Sequence, residues 1–444
     1  MCIVCSVSSC RDDALPMTAV VLTLVAIAAW GRHVEGTWFA AGPIFAAYWA
    51  VWLGAAAVWG TDYAIPLAGP WFIVAAAFAV AAGGYAGAFG GGGSGGRPGG
   101  VVRPRVLRGA AAAGGAAGVA AALVTLINYG FSAAGITSEQ GLFAAGSQIS
   151  VARYTGTQGP GLVPWMLGIC YAAALAGPFL LVGRSSLRTR LLVLLPFLGV
   201  LAFGLVFTTR FPLVLTATFT ALASMLALAM RSGRPPRARA RHVVLALGCA
   251  VLFAALFAVI SFVRVGTSES AVRPIIYNKL KVYALGEIPA FSQWLDQSEL
   301  RQSVPRAPAF GQATFGAPAR ILGLNASLSL AYVDRRQLRS HATGESTNIF
   351  TAFRALITDF GRGGALLFLG LLGFVAARLQ HRLLNGGPVL LAPVLLACYA
   401  YLLNSNTASI FTFTNVWLGL VLAVLVLWWS DRTPGRMRRP PRRG

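Results

Sequence analysis

The sequence predicts an all-α polytopic integral membrane protein, with about eleven transmembrane helices and one large extracytoplasmic loop that contains amphipathic helices. Three observations carry this expectation. The chain is 57% hydrophobic and only 11% charged, where an average soluble protein carries roughly 25% charged residues. Apolar runs near the length of a bilayer-crossing helix recur from end to end. Basic residues gather in every second short segment between those runs, as the positive-inside rule requires. The alternating ten-residue segments of a β-barrel are absent from the sequence.

Taken in order, the runs fall at 15–30, 38–59, 64–89, 109–130, 161–183, 191–208, 211–230, 243–263, 361–379, 388–406 and 410–429. The first sixteen residues make a poor signal peptide, because their charges follow the short apolar run instead of preceding it, and translation from Met17 is the expectation. Residues 90–108 form a flexible loop of glycine and arginine, with Gly90-Gly-Gly-Gly-Ser94 followed by Arg97, Arg103, Arg105 and Arg108. Arg184, Arg188 and Arg190 mark the next basic loop, and Arg231, Arg234, Arg237, Arg239 and Arg241 another. Arg378 and Arg382 follow, and the tail 431–444 holds six arginines. These segments are assigned to the cytoplasm, which places the carboxyl end inside and, for an odd count, the amino end outside. The whole chain, 1–444, then forms a single membrane domain.

The opposite face receives the loop 131–160, the hairpin Thr208-Thr-Arg-Phe-Pro212, the long segment 264–360 and the turn Asn404-Ser-Asn-Thr407. Only 264–360 is large enough to form a cap. Within it, Ile276, Leu280, Tyr283, Ile288, Phe291 and Trp294 recur at loosely helical spacing, with Lys279, Lys281 and Glu287 interspersed and Pro289 expected to bend the helix. This reads as an amphipathic helix lying in the membrane interface. A second one is expected at 345–361, where Asn348, Thr351, Arg354 and Thr358 share one helical face and Ile349, Phe353, Leu356 and Phe360 the other. Asp359 then sits at the mouth of the next span, either as a functional acid or as a capping residue at a helix start.

Several function classes are excluded or disfavoured by composition. The net charge of +23 does not indicate nucleic acid, because the charges belong to loops between spans. Cys170, Cys249 and Cys398 lie in apolar runs, and Cys2-Ile-Val-Cys5 has no second pair or nearby histidine to complete a metal site. No carboxylate cluster has the spacing that holds a divalent ion, so neither a metal nor another cofactor is expected, and arginine must carry any work on phosphate. Its planar fork bonds phosphate oxygens in pairs and keeps its charge when partly buried.

The arginines near outer span ends are Arg153, Arg210, Arg264, Arg273, Arg320, Arg354 and Arg362. Arg210 stands out at the boundary between two apolar runs, where a charge is either functional or snorkels to the head groups. His341 is the one histidine of four assigned to the outer face, since His33, His242 and His381 adjoin cytoplasmic arginines. His341 suits proton transfer but equally fits a solvated loop residue. Asp359, Glu345 and Glu287 are the other base candidates, and Asp359 with Arg354 equally fits a structural ion pair.

The run Asn348-Ile-Phe-Thr-Ala-Phe-Arg354, followed by Ile357-Thr-Asp-Phe-Gly361, Gly364 and a long span, resembles the signature of Wzy-type oligosaccharide repeat-unit polymerases, also called O-antigen polymerases. Gly311-x-x-Thr314-Phe315, the stretch Tyr283 to Phe291 with Pro289-Ala-Phe, Arg210 at the opening of a middle span and the large late outer loop are similar too. The resemblance covers roughly residues 150–410. It departs from the pattern at Phe350, where relatives commonly carry tyrosine. It implies a GT-C-like membrane glycosyltransferase at the outer face of the plasma membrane. Such enzymes move a growing glycan from undecaprenyl diphosphate onto a new lipid-linked repeat unit.

On that reading Asp359, Arg354 and His341 are the candidate catalytic residues. Arg210, Arg264, Arg153, Arg320, Asn348, Thr351 and Lys279 are the candidate substrate-binding residues. The expected partners are the undecaprenyl-diphosphate-linked oligosaccharide, membrane lipids, and a chain-length regulator or other polysaccharide-assembly protein, without nucleic acid. A ligase of finished glycans shares this chemistry. A flippase for lipid-linked oligosaccharide and a non-catalytic envelope scaffold compete with both enzymes. A flippase needs charges deep within several spans, and the apolar runs here are nearly free of them.

Overall fold

The computed structural model describes residues 14–89, 103–132, 138–155, 161–182, 186–233, 240–265, 273–301, 311–323, 336–337, 346–347 and 350–431. Among these residues the fold is all-helical apart from one two-residue antiparallel ribbon, β1 (Arg336–Gln337) with β2 (Ser346–Thr347), in which Arg336 faces Thr347. The helices are α1 (Ala14–Glu35), α2 (Ala41–Trp59), α3 (Ala68–Ala88), α4 (Pro104–Asn128), α5 (Glu139–Thr155), α6 (Val163–Ala176), α7 (Leu187–Phe207) and α8 (Phe211–Ser232). They continue with α9 (Ala240–Val265), α10 (Arg273–Leu285), α11 (Glu287–Arg301), α12 (Gly316–Ile321), α13 (Ala352–Leu384), α14 (Ala392–Leu403) and α15 (Thr414–Asp431). A 3-10 turn, Gly177–Val182, prolongs α6.

Each of the eleven expected spans coincides with a helix. Among the described residues nine helices are long and apolar enough to cross a membrane. The other two expected spans meet shorter apolar stretches, Val251–Val265 within α9 and Val389–Leu403 around α14. Prolines open α4, α6, α8 and α14 at their first or second positions, where the missing N–H has no helical partner to lose. Ser186 caps α7, its hydroxyl accepting from Thr189 N–H at 3.3 Å. Of the expected 90–108 loop, residues 103–108 are described and enter α4; 90–102 and most of the 431–444 tail lie outside the described residues.

Two packing features position everything else. First, α13 lies along α3 so closely that a Cβ on Gly83 or Gly373 would collide with the backbone carbonyl of Gly370 or Val80. Small-residue contacts of this kind let helix backbones approach within a membrane. Second, the turn after α14 is recessed. Ser405 accepts from the Trp49 indole N–H at 3.0 Å, and the Ser405 carbonyl accepts from Ala352 N–H at 2.7 Å. Trp49 stands ten residues before the end of α2 at Trp59, on the order of 10–15 Å along the helix axis. Asn404, Ser405, Asn406 and Ser409 are all buried there. The turn expected at the outer rim is therefore a polar floor set down within the bundle.

The cap also differs from expectation. The helix expected over 275–296 breaks at Gly286, between α10 and α11. Pro289 sits in the first turn of α11, where its absent N–H leaves nothing unsatisfied. An interfacial helix keeps one face against lipid, but Ile288, Ala290, Phe291, Ser292, Gln293 and Leu295 are all buried. The first half of α11 is a packed element wedged against α3, with Phe291 6.0 Å from Phe72.

Candidate functional site

The 345–361 segment is not one amphipathic helix. Helix α13 begins at Ala352, with Thr351 in extended conformation before it, so Thr351 shares no helical face with Arg354. Asn348 lies outside the described residues, as does His341. The first turns of α13 are buried, with Phe353, Leu356, Ile357, Thr358 and Asp359 all removed from the surface, and Thr358 Oγ1 donates back to the Arg354 carbonyl at 2.8 Å. Helical geometry then stops at Gly361, at φ 71° and ψ 176°. That is a region of backbone space open in practice to glycine alone.

Asp359 is fully buried, and both of its carboxylate oxygens are occupied. Oδ1 accepts from Ala313 N–H at 3.0 Å and Oδ2 from Thr314 N–H at 2.6 Å. The carbonyls of the same two residues are held as well. The Thr314 carbonyl accepts from Ser409 Oγ at 2.8 Å and the Ala313 carbonyl from Thr412 Oγ1 at 3.2 Å. Asp359 is thus the centre of a lock joining α13, the 311–316 turn and the recessed floor. These contacts give Asp359 a positioning role in the lock, and neither of its oxygens is left without a backbone donor. Nor does it aim at Arg354: five residues apart on a helix, the two side chains diverge by about 140°.

Three of the expected arginines fall into two stations. In the first, three residues separate α7 from α8. Thr208 ends α7 in the left-handed conformation at φ 53° and Arg210 stands at the start of α8. The Arg210 guanidinium donates through Nη2 to Ser261 Oγ on α9. It stacks 4.5 Å from the Tyr283 ring of α10 and 5.4 Å from the Phe257 ring. Its Nη1 is buried and has no hydrogen-bond partner among the described residues, and burial lowers the guanidinium below its ordinary value. Arg264 reaches the same tyrosine, donating to Tyr283 Oη at 3.3 Å. Tyr283 therefore bridges two arginines by its face and its hydroxyl.

In the second station Arg354, half-buried in the first turn of α13, lies 3.9 Å from the Phe350 ring and 5.6 Å from the Trp294 ring of α11. Such cation–π contacts hold a guanidinium by its face and so fix where its N–H edges point. Phe350, the position where the resembled family carries tyrosine, contributes its ring face here and needs no hydroxyl.

The remaining candidates stand apart. Arg320 donates to the Thr412 carbonyl at 3.1 Å, on the rim of the Asp359 lock. Lys279 is exposed on α10. Arg153 belongs to α5, and its side chain lies outside the described residues. The cap is strapped to the loop between α2 and α3, since Lys281 pairs with Asp62 and Gln293 Nε2 donates to the Ala64 carbonyl at 2.8 Å.

Sequence reasoning does not mark Tyr283, Trp294, Ser261 or Asn406 as site residues. The two aromatics carry the same apolar signal as any interfacial ring, and Ser261 and Asn406 acquire meaning only through partners far away in the chain. Among the described residues no three histidine, cysteine or carboxylate side chains gather as metal ligands would. No family model matches the chain, and neither does any curated protein or solved structure.

Proposed function

We propose that the chain polymerises undecaprenyl-diphosphate-linked oligosaccharide repeat units by glycosyl transfer at the outer face of the plasma membrane. The observation that carries this reading is Arg210, a half-buried cation whose buried Nη1 has no hydrogen-bond partner among the described residues, beside Arg264 on a shared tyrosine. A buried donor nitrogen on a charged group is costly to leave unpaired, and an anionic ligand group offsets that cost. In this reading the diphosphate of the donor lipid occupies the Arg210–Arg264 station. As the glycosidic bond breaks, negative charge grows on the leaving diphosphate, and pre-placed guanidinium groups stabilise it. Arg354, held between Phe350 and Trp294, is assigned to the second lipid-linked chain or to the departing phosphate. A GT-C-like architecture, a cytoplasmic carboxyl end and a chain-length regulator as partner belong to the same proposal. They rest on loop charge and on resemblance. Arginine is taken to do what a divalent ion does in metal-dependent transferases.

The test is a transfer assay with purified protein and one synthetic lipid-diphosphate repeat unit, without added metal. A ladder spaced by one repeat is the expected product. A single product on a different acceptor would replace the polymerase with a ligase. Movement of lipid across vesicles without transfer would replace it with a flippase.

A further inference from the structure

Glu287 has no part in the reaction proposed above, yet it is almost completely enclosed. It opens α11 directly after the Gly286 break and is 1% exposed. Its Oε1 accepts from Asn406 Nδ2 on the recessed floor at 3.1 Å, and Oε2 is buried with no partner. Tyr48 of α2 faces it. The faces of α3 that meet α11 are Gly69 and Phe72, neither of them charged. The nearby cations are engaged elsewhere: Lys281 with Asp62, Arg210 with Ser261 and the Tyr283 ring, Arg354 over Phe350 and Trp294. Among the described residues no cation pairs with Glu287; its own backbone N–H and the Asn406 amide favour the charged form, but desolvation by burial outweighs them and raises its pKa well above the ordinary glutamate range, toward a neutral carboxyl in the docked cap.

The location gives this proton leverage. Gly286–Glu287 is the joint of the cap. The arm before it, α10, carries Tyr283 against Arg210 and Arg264. The arm after it, α11, carries Trp294 against Arg354. We infer that Glu287 is a positioning residue, whose neutral carboxyl seated on Asn406 holds both cap arms against the two arginine stations and releases them when it ionises. The carboxyl is neutral in the docked cap and charged once the cap lifts into water. Because its pKa is raised in the docked state, docking is complete at acid pH and weakens as pH rises from the ordinary glutamate value toward the raised one. Within that window the lifted fraction grows up to about tenfold per pH unit.

The inference rests on the polymerase reading only for what the arginines bind, so it is tested without lipid substrate. Ser292 is buried on α11 against Gly69, and Ser292→Cys places a thiol that maleimide reaches only when the arm lifts. Its labelling, read on that peptide by mass spectrometry in nanodiscs, is compared between the Glu287 and Glu287→Gln backgrounds from about pH 4 upward to about pH 9, a range that begins at the ordinary glutamate value. The ratio of the two rates cancels the ionisation of the thiol itself. The expected ratio is near one at the acid end and rises severalfold to about tenfold per unit above it. A flat ratio overturns the latch. Should Glu287→Gln fail to fold, Tyr277→Cys, exposed on α10, serves as the reference thiol. The Ser292→Cys rate must then climb faster with pH than the Tyr277→Cys rate, and parallel profiles overturn the inference. A flat labelling ratio leaves the polymer ladder untouched, and a missing ladder leaves the labelling result standing.

Discussion

Asp359→Asn separates a base from a lock. The substitution keeps size and shape but leaves one acceptor oxygen where two backbone N–H groups converge at 3.0 and 2.6 Å. One charge-assisted hydrogen bond is lost, about 1.5–3 kcal/mol, and the new amide N–H₂ opposes a buried backbone donor, a further 1–3 kcal/mol or so. A local loss of about 3–5 kcal/mol corresponds to roughly a 10²–10⁴-fold rise in opening of the 311–316 turn. Hydrogen exchange of the Ala313 and Thr314 amides reads that opening directly, and chain elongation is measured on the same preparation. The expected outcome is faster exchange together with loss of elongation. Elongation lost with exchange unchanged would return Asp359 to the role of base. Wild-type exchange would refute the lock itself.

Other outcomes follow from the same contacts. Arg210→Ala and Arg354→Ala each lower elongation by about 10²–10³-fold, the loss typical of a removed transition-state donor, while membrane insertion stays intact; wild-type polymer lengths on a gel would sink the diphosphate clamp. Tyr283→Phe keeps the ring under Arg210 but removes the acceptor for Arg264. It weakens apparent donor affinity by roughly fivefold, about 1 kcal/mol, seen as a raised KM in the transfer assay. Gly361→Ala meets no atom within 4 Å, so its effect comes from backbone strain alone, about 1–3 kcal/mol. A thermal-shift assay detects it as a lowered transition temperature, and an unchanged transition would mean that the break at Gly361 is not needed.

The spans were legible because crossing a bilayer is a demand on composition and length, and both are written locally. Arg210 was legible for the same reason, as a charge caught between two apolar runs with Pro212 to start the second. Asp359 was legible as important but not as to its role. Its partners are backbone amides, which every residue but proline possesses, on a turn more than forty positions earlier. The polar spacing of Asn348, Thr351, Arg354 and Thr358 suggested a helix face, yet α13 starts only at Ala352, and the hydrogen bond from Ala352 N–H to Ser405 decides where. Pro289 pointed to a bend and Gly286 supplied it, because a proline in a first turn disturbs nothing. The floor of the site was invisible for another reason. Depth within a bundle follows from which helix a turn packs beside, here α2 at Trp49, and that is tertiary information.

The contact between α3 and α13 has a mechanical consequence. Two helices whose backbones touch through Gly83 and Gly373 have no side-chain cushion between them, so they cannot slide or part without breaking the whole interface. They act as a stator. Motion is left to the parts hung on that frame, above all the cap arms about Gly286, since the first turns of α13 are tied down through Asp359 and the Ala352–Ser405 hydrogen bond. Both arginines, Arg354 on α13 and Arg210 between α7 and α8, belong to the fixed part, and the cap arms bring Trp294 and Tyr283 to them. Under the proposed transfer reaction, a chain entering either station therefore displaces an aromatic ring of the cap and leaves the spacing of the two arginines unchanged.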